Sequence, residues 1–291
     1  MCRFSHFHVI CGAVLASLVC VATAQPSFAI VAGETSNDPN GVRSITVRID
    51  STRGELCTGV IINSQAVLTA AHCVLGGGSF LVTSLGPDFR KRQHKVAQVF
   101  VHPSFVRGTT PRTQPGADLA MLHLSVPLPA DMGTAGIGSS MWNGESLTVS
   151  GFGLAVEGKA TSARTLRQAR LVASGTYTSA NSVTVAVDES RLGQEAGAGA
   201  CRGDSGGPAL RGDANSRDLV GIISWTSGPL ASLERRVCGG FTSITPVADH
   251  ARWIAGTAMA LAEGRITGGA SPLVAPAQTA AGGGNAPLIE R

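Results

Sequence analysis

Apolar residues along this chain gather in a dozen short stretches, either alternating with polar ones or running on without a break. The first six lie at 43–49, 58–62, 66–71, 79–85, 95–101 and 118–124. The second six lie at 146–152, 165–173, 182–188, 207–211, 218–225 and 239–245. Stretches this short, rich in β-branched residues and bounded by turn formers, follow the pattern of strands. A Gly- and Ser-rich gap, DMGTAGIGSS at 131–140, separates the two groups. Two all-β barrels or sandwiches of about six strands each are therefore expected. After them, Val247, His250, Ala251 and Ile254 recur at helical spacing, which predicts a closing helix at about 246–260. Residues 261–291 are rich in Ala, Gly and Pro without periodicity, as in a disordered tail.

Composition agrees with this picture. The chain has 291 residues, 43% of them hydrophobic, which is ample for a buried core. Its 37 Gly and 4% aromatics suit many strands joined by turns. The formal charge of +4 is mild and its cations are scattered, apart from RKRQHK at 90–95. That run reads as a solvated face, and with no nucleic-acid motif beside it no nucleic-acid partner is expected.

The N-terminus changes the picture more. MCRFSHFH carries one Arg and no acid, and residues 9–24 are continuously small or apolar, ending in Ala-Thr-Ala. This is the pattern of a signal peptide over 1–24, too short to span a bilayer comfortably. The product is expected to be secreted or periplasmic, with no membrane attachment once the signal is removed. A second cleavage position follows Ala29, so 25–29 is either a short propeptide or part of the signal. Cys2, Cys11 and Cys20 leave with the signal, and Cys57, Cys73, Cys201 and Cys238 remain. Four cysteines in an exported chain imply two disulfides, with three connectivities open. No C-x-x-C pair supports zinc, and neither a metal nor another cofactor is expected.

The stretch ACRGDSGGPAL at 200–210 poses the chemical question. Its Gly, Asp and Ser are ordinary turn residues; Ser205 is a nucleophile only if the chain supplies a base and a group to orient that base. Of the histidines outside the signal, His94, His102, His123 and His250 read as structural side chains. His72 differs. CTGVIINSQAVLTAAHC reads as a hairpin centred on residue 65, which sets Cys57 opposite Cys73; a disulfide there holds His72 on a pinned element. Asp118 stands at the mouth of the apolar strand in GADLAMLHL, with no charged neighbour. A carboxylate entering a core needs hydrogen-bond donors, and an imidazole N–H is one. Taken alone, Asp118 serves equally as a turn or strand-end residue. GDSGG also fits G-x-S-x-G, the nucleophile elbow of α/β-hydrolases, which needs a strand before the Ser and a helix after it. GQEAGAGAC is no strand, GGPAL opens on two Gly and a Pro, and only His250 lies downstream, so the elbow fails.

IVAGE (30–34), LTAAHC (68–73), DLAML (118–122), GDSGGP (203–208) and SW (224–225) together resemble the signature segments of the trypsin/chymotrypsin-like serine proteases. The likeness covers about 30–255 and is to a secreted member of bacterial type. It implies two six-stranded antiparallel β-barrels packed together, at about 30–135 and 141–245, with a short C-terminal helix. It implies Ser205 as nucleophile, His72 as base and Asp118 as the orienting acid, with the N–H groups of Gly203 and Ser205 as the oxyanion hole. It also implies the disulfides Cys57–Cys73 and Cys201–Cys238, and a hydrogen bond from Ser224 to Asp118. The strand ending at Thr226 would pair with an extended substrate. Cleavage before Ile30 would free an ammonium to pair with Asp204, although Ala29 stands where the family usually has Lys or Arg.

At the base of the primary pocket, Gly199 replaces the carboxylate of the trypsin branch, beside Ala200, with Trp225, Thr226 and Gly239 along the walls. Cleavage after apolar rather than basic residues is expected. The expected partners are a polypeptide substrate and a protein protease inhibitor, and the chain is expected to be a monomer. The alternative from another class is a catalytically inactive, protease-like binding module. Such a module typically lacks a member of the Ser-His-Asp set, and all three are present.

Overall fold

The computed structural model describes residues 30–178, 180–232 and 236–265. The expected signal peptide, the segment 25–29 and nearly all of the expected tail lie outside the described residues.

The first six-strand group closes on itself. Strands β2 (Thr46–Ser51), β3 (Leu56–Asn63), β4 (Ala66–Thr69), β5 (Phe80–Leu85), β6 (Lys91–Val101) and β7 (Ala120–Leu124) form an antiparallel barrel in the order β2-β3-β4-β7-β6-β5. The second group forms another. Strands β9 (Ser146–Gly151), β10 (Arg167–Thr178), β11 (Ser182–Val187), β12 (Pro208–Arg211), β13 (Asp218–Ser227) and β14 (Phe241–Pro246) run β10-β11-β14-β13-β12-β9, and the β10–β9 pairing closes the ring. Two very short strands escape the hydrophobic pattern: β1 (Glu34–Thr35) adds to β10, and β8 (Gly136–Ile137) runs parallel to β13. Two residues are too few to show a period, so only tertiary pairing makes them strands.

Strand β6 begins four residues earlier than its apolar run. Its first turn-out is the basic stretch: Lys91, Gln93 and Lys95 are exposed, while His94 points inward, only 6% exposed, and shares a hydrogen bond with Ser84 Oγ at 2.9 Å. The basic run is thus the outer side of a two-faced strand.

Helix α1 (Ala251–Ala262) starts later than its spacing suggests, after a single 3₁₀ turn at Ala248–His250. It comes after the second barrel but packs on the first. Ile254, Ala258 and Leu261 are buried in the first barrel's core cluster, and Asn63 Nδ2 donates to the Ala258 carbonyl at 2.9 Å. The helix thereby ties the two halves together. The facing walls of the barrels meet along hydroxyl contacts, such as Thr46 Oγ1 to Ser150 Oγ at 2.9 Å. Among the described residues no helix is long and apolar enough to cross a membrane.

Candidate active site

His72 rides on a 3₁₀ turn, Ala71–Val74, that leaves the end of β4. The hairpin before it is not the one its sequence suggests. Val60 lies opposite Leu68 and Ile61 opposite Val67, and a register shift then sets Asn63 opposite Ala66. The ladder centre is therefore nearer 64 than 65, and Cys57 sits in the β2–β3 ladder opposite Ile49. Cys73 reaches Cys57 because the 3₁₀ turn folds back, giving an S–S distance of 2.02 Å. The pinning of His72 is real; its means is the turn, not the ladder. Cys57, Cys73 and His72 place their ligand atoms within 4.8 Å of one another. Both sulfurs are spent on the disulfide, so they supply no thiolate to a metal.

Asp118 precedes β7, and its side chain is fully buried. One oxygen accepts from the His72 backbone N–H at 2.9 Å. The other contacts His72 Nδ1 at 2.7 Å and accepts from Ser224 Oγ at 2.6 Å. Burial works to raise the carboxyl's pKa, but the field and hydrogen bonds of His72, with Ser224, hold it below the ordinary value. An ionised Asp118 can only accept, so Nδ1 carries the proton and the bare Nε2 of a neutral ring is left as acceptor.

Ser205 lies on the loop between the second barrel's Cys201 and β12. Its Oγ donates to the Ser224 carbonyl at 3.2 Å. Its own carbonyl accepts from Thr58 N–H at 2.9 Å. Cys73 Sγ lies 3.8 Å from His72 Nε2 and 3.6 Å from the Ser205 carbonyl, so His72 and Ser205 flank the same sulfur. In this structure the Ser205 hydroxyl is turned to Ser224, not to His72.

Beside Ser205, the backbone is shaped by glycine. Gly203 has φ +97° and Gly206 φ +84°. A Cβ at Gly206 would stand 2.0 Å from Thr69 Oγ1 and 2.2 Å from the Thr58 carbonyl, so no larger residue fits. Among the described residues, the N–H groups of Gly203 and Ser205 donate to no backbone or side-chain acceptor. Sequence reasoning missed the residue that holds this loop. Thr58 Oγ1 on β3 donates to the Gly203 carbonyl at 2.8 Å and accepts from Phe152 N–H at 3.1 Å. One threonine of the first barrel thus clamps the loop of the second, and nothing local in CTG marks it.

Asp204 is fully buried. Its oxygens accept from Gly153 N–H at 2.8 Å and Cys201 N–H at 2.9 Å, and the Ile30 backbone N–H also donates to it. Burial dominates and pushes its carboxyl up to about 7, against the pull of these N–H groups and the positive field of Arg167. Ile30 is itself fully buried, and the next residue reaches Gly199, whose N–H donates to the Val31 carbonyl at 3.1 Å.

Gly199 and Ala200 lie together against β14. Ala200 N–H donates to Thr242 Oγ1 at 3.0 Å, and a Cβ built on Gly199 would meet that same oxygen at 3.4 Å and Gly239 Cα at 3.5 Å. Thr242 is the cross-strand partner of Thr226, whose hydroxyl donates to the Val237 carbonyl at 2.5 Å. The two threonines therefore stand side by side on one face of the β13–β14 ladder, with Thr242 against Gly199, a neighbour that sequence reasoning did not include. The Cys201–Cys238 disulfide, S–S 2.08 Å, ties the segment after Ala200 to the one before Gly239. Trp225 lies half-buried on β13.

The remaining histidines lie elsewhere. His102 and His250 pack edge to face at 4.7 Å, with Trp253 on His102 at 4.8 Å. Burial, with the field of His250, lowers His102 to about 4, so it is a neutral packing group that joins the loop after β6 to α1.

A family model described as Trypsin matches residues 30–254. Vitamin K-dependent protein C of Mus musculus is 27% identical over 233 residues, covering 72% of this chain and 47% of that protein. The Rattus norvegicus protein of the same name is 28% identical over 234 residues, with the same coverage. The chain thus spans about half the length of these curated relatives. Among solved structures, neuropsin, a serine protease expressed in the limbic system of mouse brain, matches with a TM-score of 0.63 at 21% identity. That match covers 79% of this chain and 100% of neuropsin, and it bears on the fold alone. The rodent relatives give no support to a bacterial-type placement.

Proposed function

Because the chain belongs to the trypsin family of serine proteases, we propose that it is a secreted endopeptidase that cuts after small to medium apolar residues, using Ser205, His72 and Asp118. The observation that carries this reading is a continuous chain of contacts. Ser205 Oγ touches the Ser224 carbonyl, Ser224 Oγ touches Asp118, and Asp118 holds His72 Nδ1. It gathers a hydroxyl, an imidazole and a buried carboxylate from three distant segments.

In this reading, substrate binding turns the Ser205 hydroxyl from Ser224 to His72 Nε2; such contacts tighten as substrate binds. Nε2 takes the proton as Oγ attacks the carbonyl carbon. Asp118 stabilises the imidazolium, which then protonates the departing amine. The N–H groups of Gly203 and Ser205 receive the oxyanion, and a donor of this kind contributes roughly 10²–10³ in turnover. Water enters, His72 activates it, and the acyl-enzyme is hydrolysed.

Gly199 places no negative charge at the pocket base, and Thr226 and Thr242 leave room for a modest apolar side chain. Secretion rests on the apolar stretch 9–24. Activation rests on the Ile30–Asp204 contact: cutting before Ile30, by signal peptidase after Ala29 or by a second protease, converts an amide into an ammonium beside a buried carboxyl. N-terminal sequencing of active secreted material is expected to begin at Ile30; activity in chains that retain earlier residues refutes this route. The proposed partners are an extended polypeptide and a protein inhibitor that mimics it, each meeting a monomer.

A fluorophosphonate probe tests the core of the reading. It should label the processed protein at Ser205 and fail to label Ser205→Ala. A folded, processed chain that takes no label would favour the inactive binding module instead.

A further inference from the structure

β12 pairs with strand β13 as far as Pro208 opposite Ile222, and Ile223 still bonds the Gly206 N–H and the Gly207 carbonyl; beyond Ile223, β13 has β14 as its strand neighbour on one side only. The main-chain groups of Ser224–Ser227 on the other side form an open edge beside Ser205. Carbonyls alternate along it: Ser224 faces the Ser205 hydroxyl, Ser227 faces Gly240 on the β14 side, and Thr226 faces outward again. An extended peptide whose scissile carbonyl sits at Ser205 pairs antiparallel with this edge. Its residue two positions upstream then reaches Thr226.

That carbonyl is already engaged. Arg112 Nη2 donates to it at 2.8 Å, and the guanidinium lies over the Trp225 ring at 4.2 Å. Arg112 is placed there by its loop. Gln114, fully buried, bonds Val106 on both its N–H and its carbonyl at 2.8 and 2.9 Å, and accepts from Gly116 N–H at 2.9 Å. Asn181 Nδ2 anchors the loop again through the Gly116 carbonyl at 2.9 Å. Among the described residues Arg112 has no carboxylate partner.

Resting on the endopeptidase reading above, we propose that Arg112 is a specificity residue that selects substrates carrying an acidic side chain two or three positions upstream of the residue that is cut. A neutral peptide must compete with Arg112 for the Thr226 carbonyl. A substrate carboxylate accepts more strongly than a carbonyl and takes the planar fork in two parallel bonds. It draws the guanidinium off Thr226 and frees that acceptor for the substrate's own N–H. Trp225 supplies a flat surface on which the guanidinium slides while keeping its stacking contact.

The test uses the processed protein and matched quenched-fluorescence peptides that differ only by Glu, Gln or Lys at those upstream positions. The wild type is expected to favour Glu over Gln by roughly threefold to fivefold in kcat/KM, expressed mainly in KM, as suits a solvent-exposed ion pair. The ratio should approach one in about 1 M salt, where the screening length is about 3 Å. Arg112→Gln should abolish the preference and lower KM for the neutral peptide, and Arg112→Glu should turn it toward Lys. Equal cleavage of Glu and Gln peptides by the wild type, or a preference that survives Arg112→Gln, overturns the inference. Should the variants not fold, the salt dependence of the wild-type ratio decides alone. Failure of the endopeptidase reading looks different: no peptide is cut and the fluorophosphonate probe does not react.

Discussion

Asp204 makes the sharpest physical prediction. In the uncut chain its carboxyl is fully buried, accepts from backbone N–H groups within the field of Arg167, and is pushed up to about 7 from an ordinary 3.8. A shift of about three units corresponds to about 4 kcal/mol. The folded pKa is raised, so the folded state binds the extra proton between these values. The stability this proton confers is fully present below about pH 4 and lost as pH rises through about 7. Cutting before Ile30 replaces the amide with an ammonium at the same carboxylate. The ammonium favours the ionised form, drives the folded pKa down and removes the loss. The assay is urea unfolding of two Ser205→Ala chains, one uncut and one beginning at Ile30, between about pH 4 and about pH 8. The uncut chain should lose about 4 kcal/mol across this range, relative to the cut chain. Adding Asp204→Asn to the uncut chain should flatten its slope. Parallel pH dependences for cut and uncut chains would sink the argument, because the two then differ in nothing that Asp204 senses.

Two further outcomes follow from residues that only the fold brings together. Thr58→Val strips the partner from the buried Gly203 carbonyl and Phe152 N–H, so urea unfolding should show a loss of roughly 2–4 kcal/mol, and kcat should fall more than KM rises. Thr226→Gly with Thr242→Gly should open the pocket, and peptide profiling should show the preferred residue moving from small aliphatic to aromatic side chains. A change of one methylene in such a pocket is worth about tenfold to a few-hundredfold, so an unchanged profile would show that the threonines do not border it.

The sequence alone determined where the strands lie, and the resemblance it carries implied two barrels and a candidate chemistry. All twelve strands of the two barrels were legible, because each is a short apolar run, alternating or unbroken, bounded by turn formers. Ser205 and His72 could be singled out by their settings, and the resemblance supplied the order His, Asp, Ser. What stayed hidden depends on residues far apart in the chain. Asp118 was ambiguous until His72 and Ser224 were seen to share its oxygens. Cys57 meets Cys73 through a 3₁₀ turn that no ladder arithmetic anticipates. The helix that follows the second barrel covers the first. Thr58, Thr242 and Arg112 carry no local signature at all. Each acts on a backbone group supplied by another element, 145 residues away for Thr58 on Gly203 and 114 for Arg112 on Thr226. Periodicity records which side of a strand is buried; only the closed barrels decide what waits on the other side.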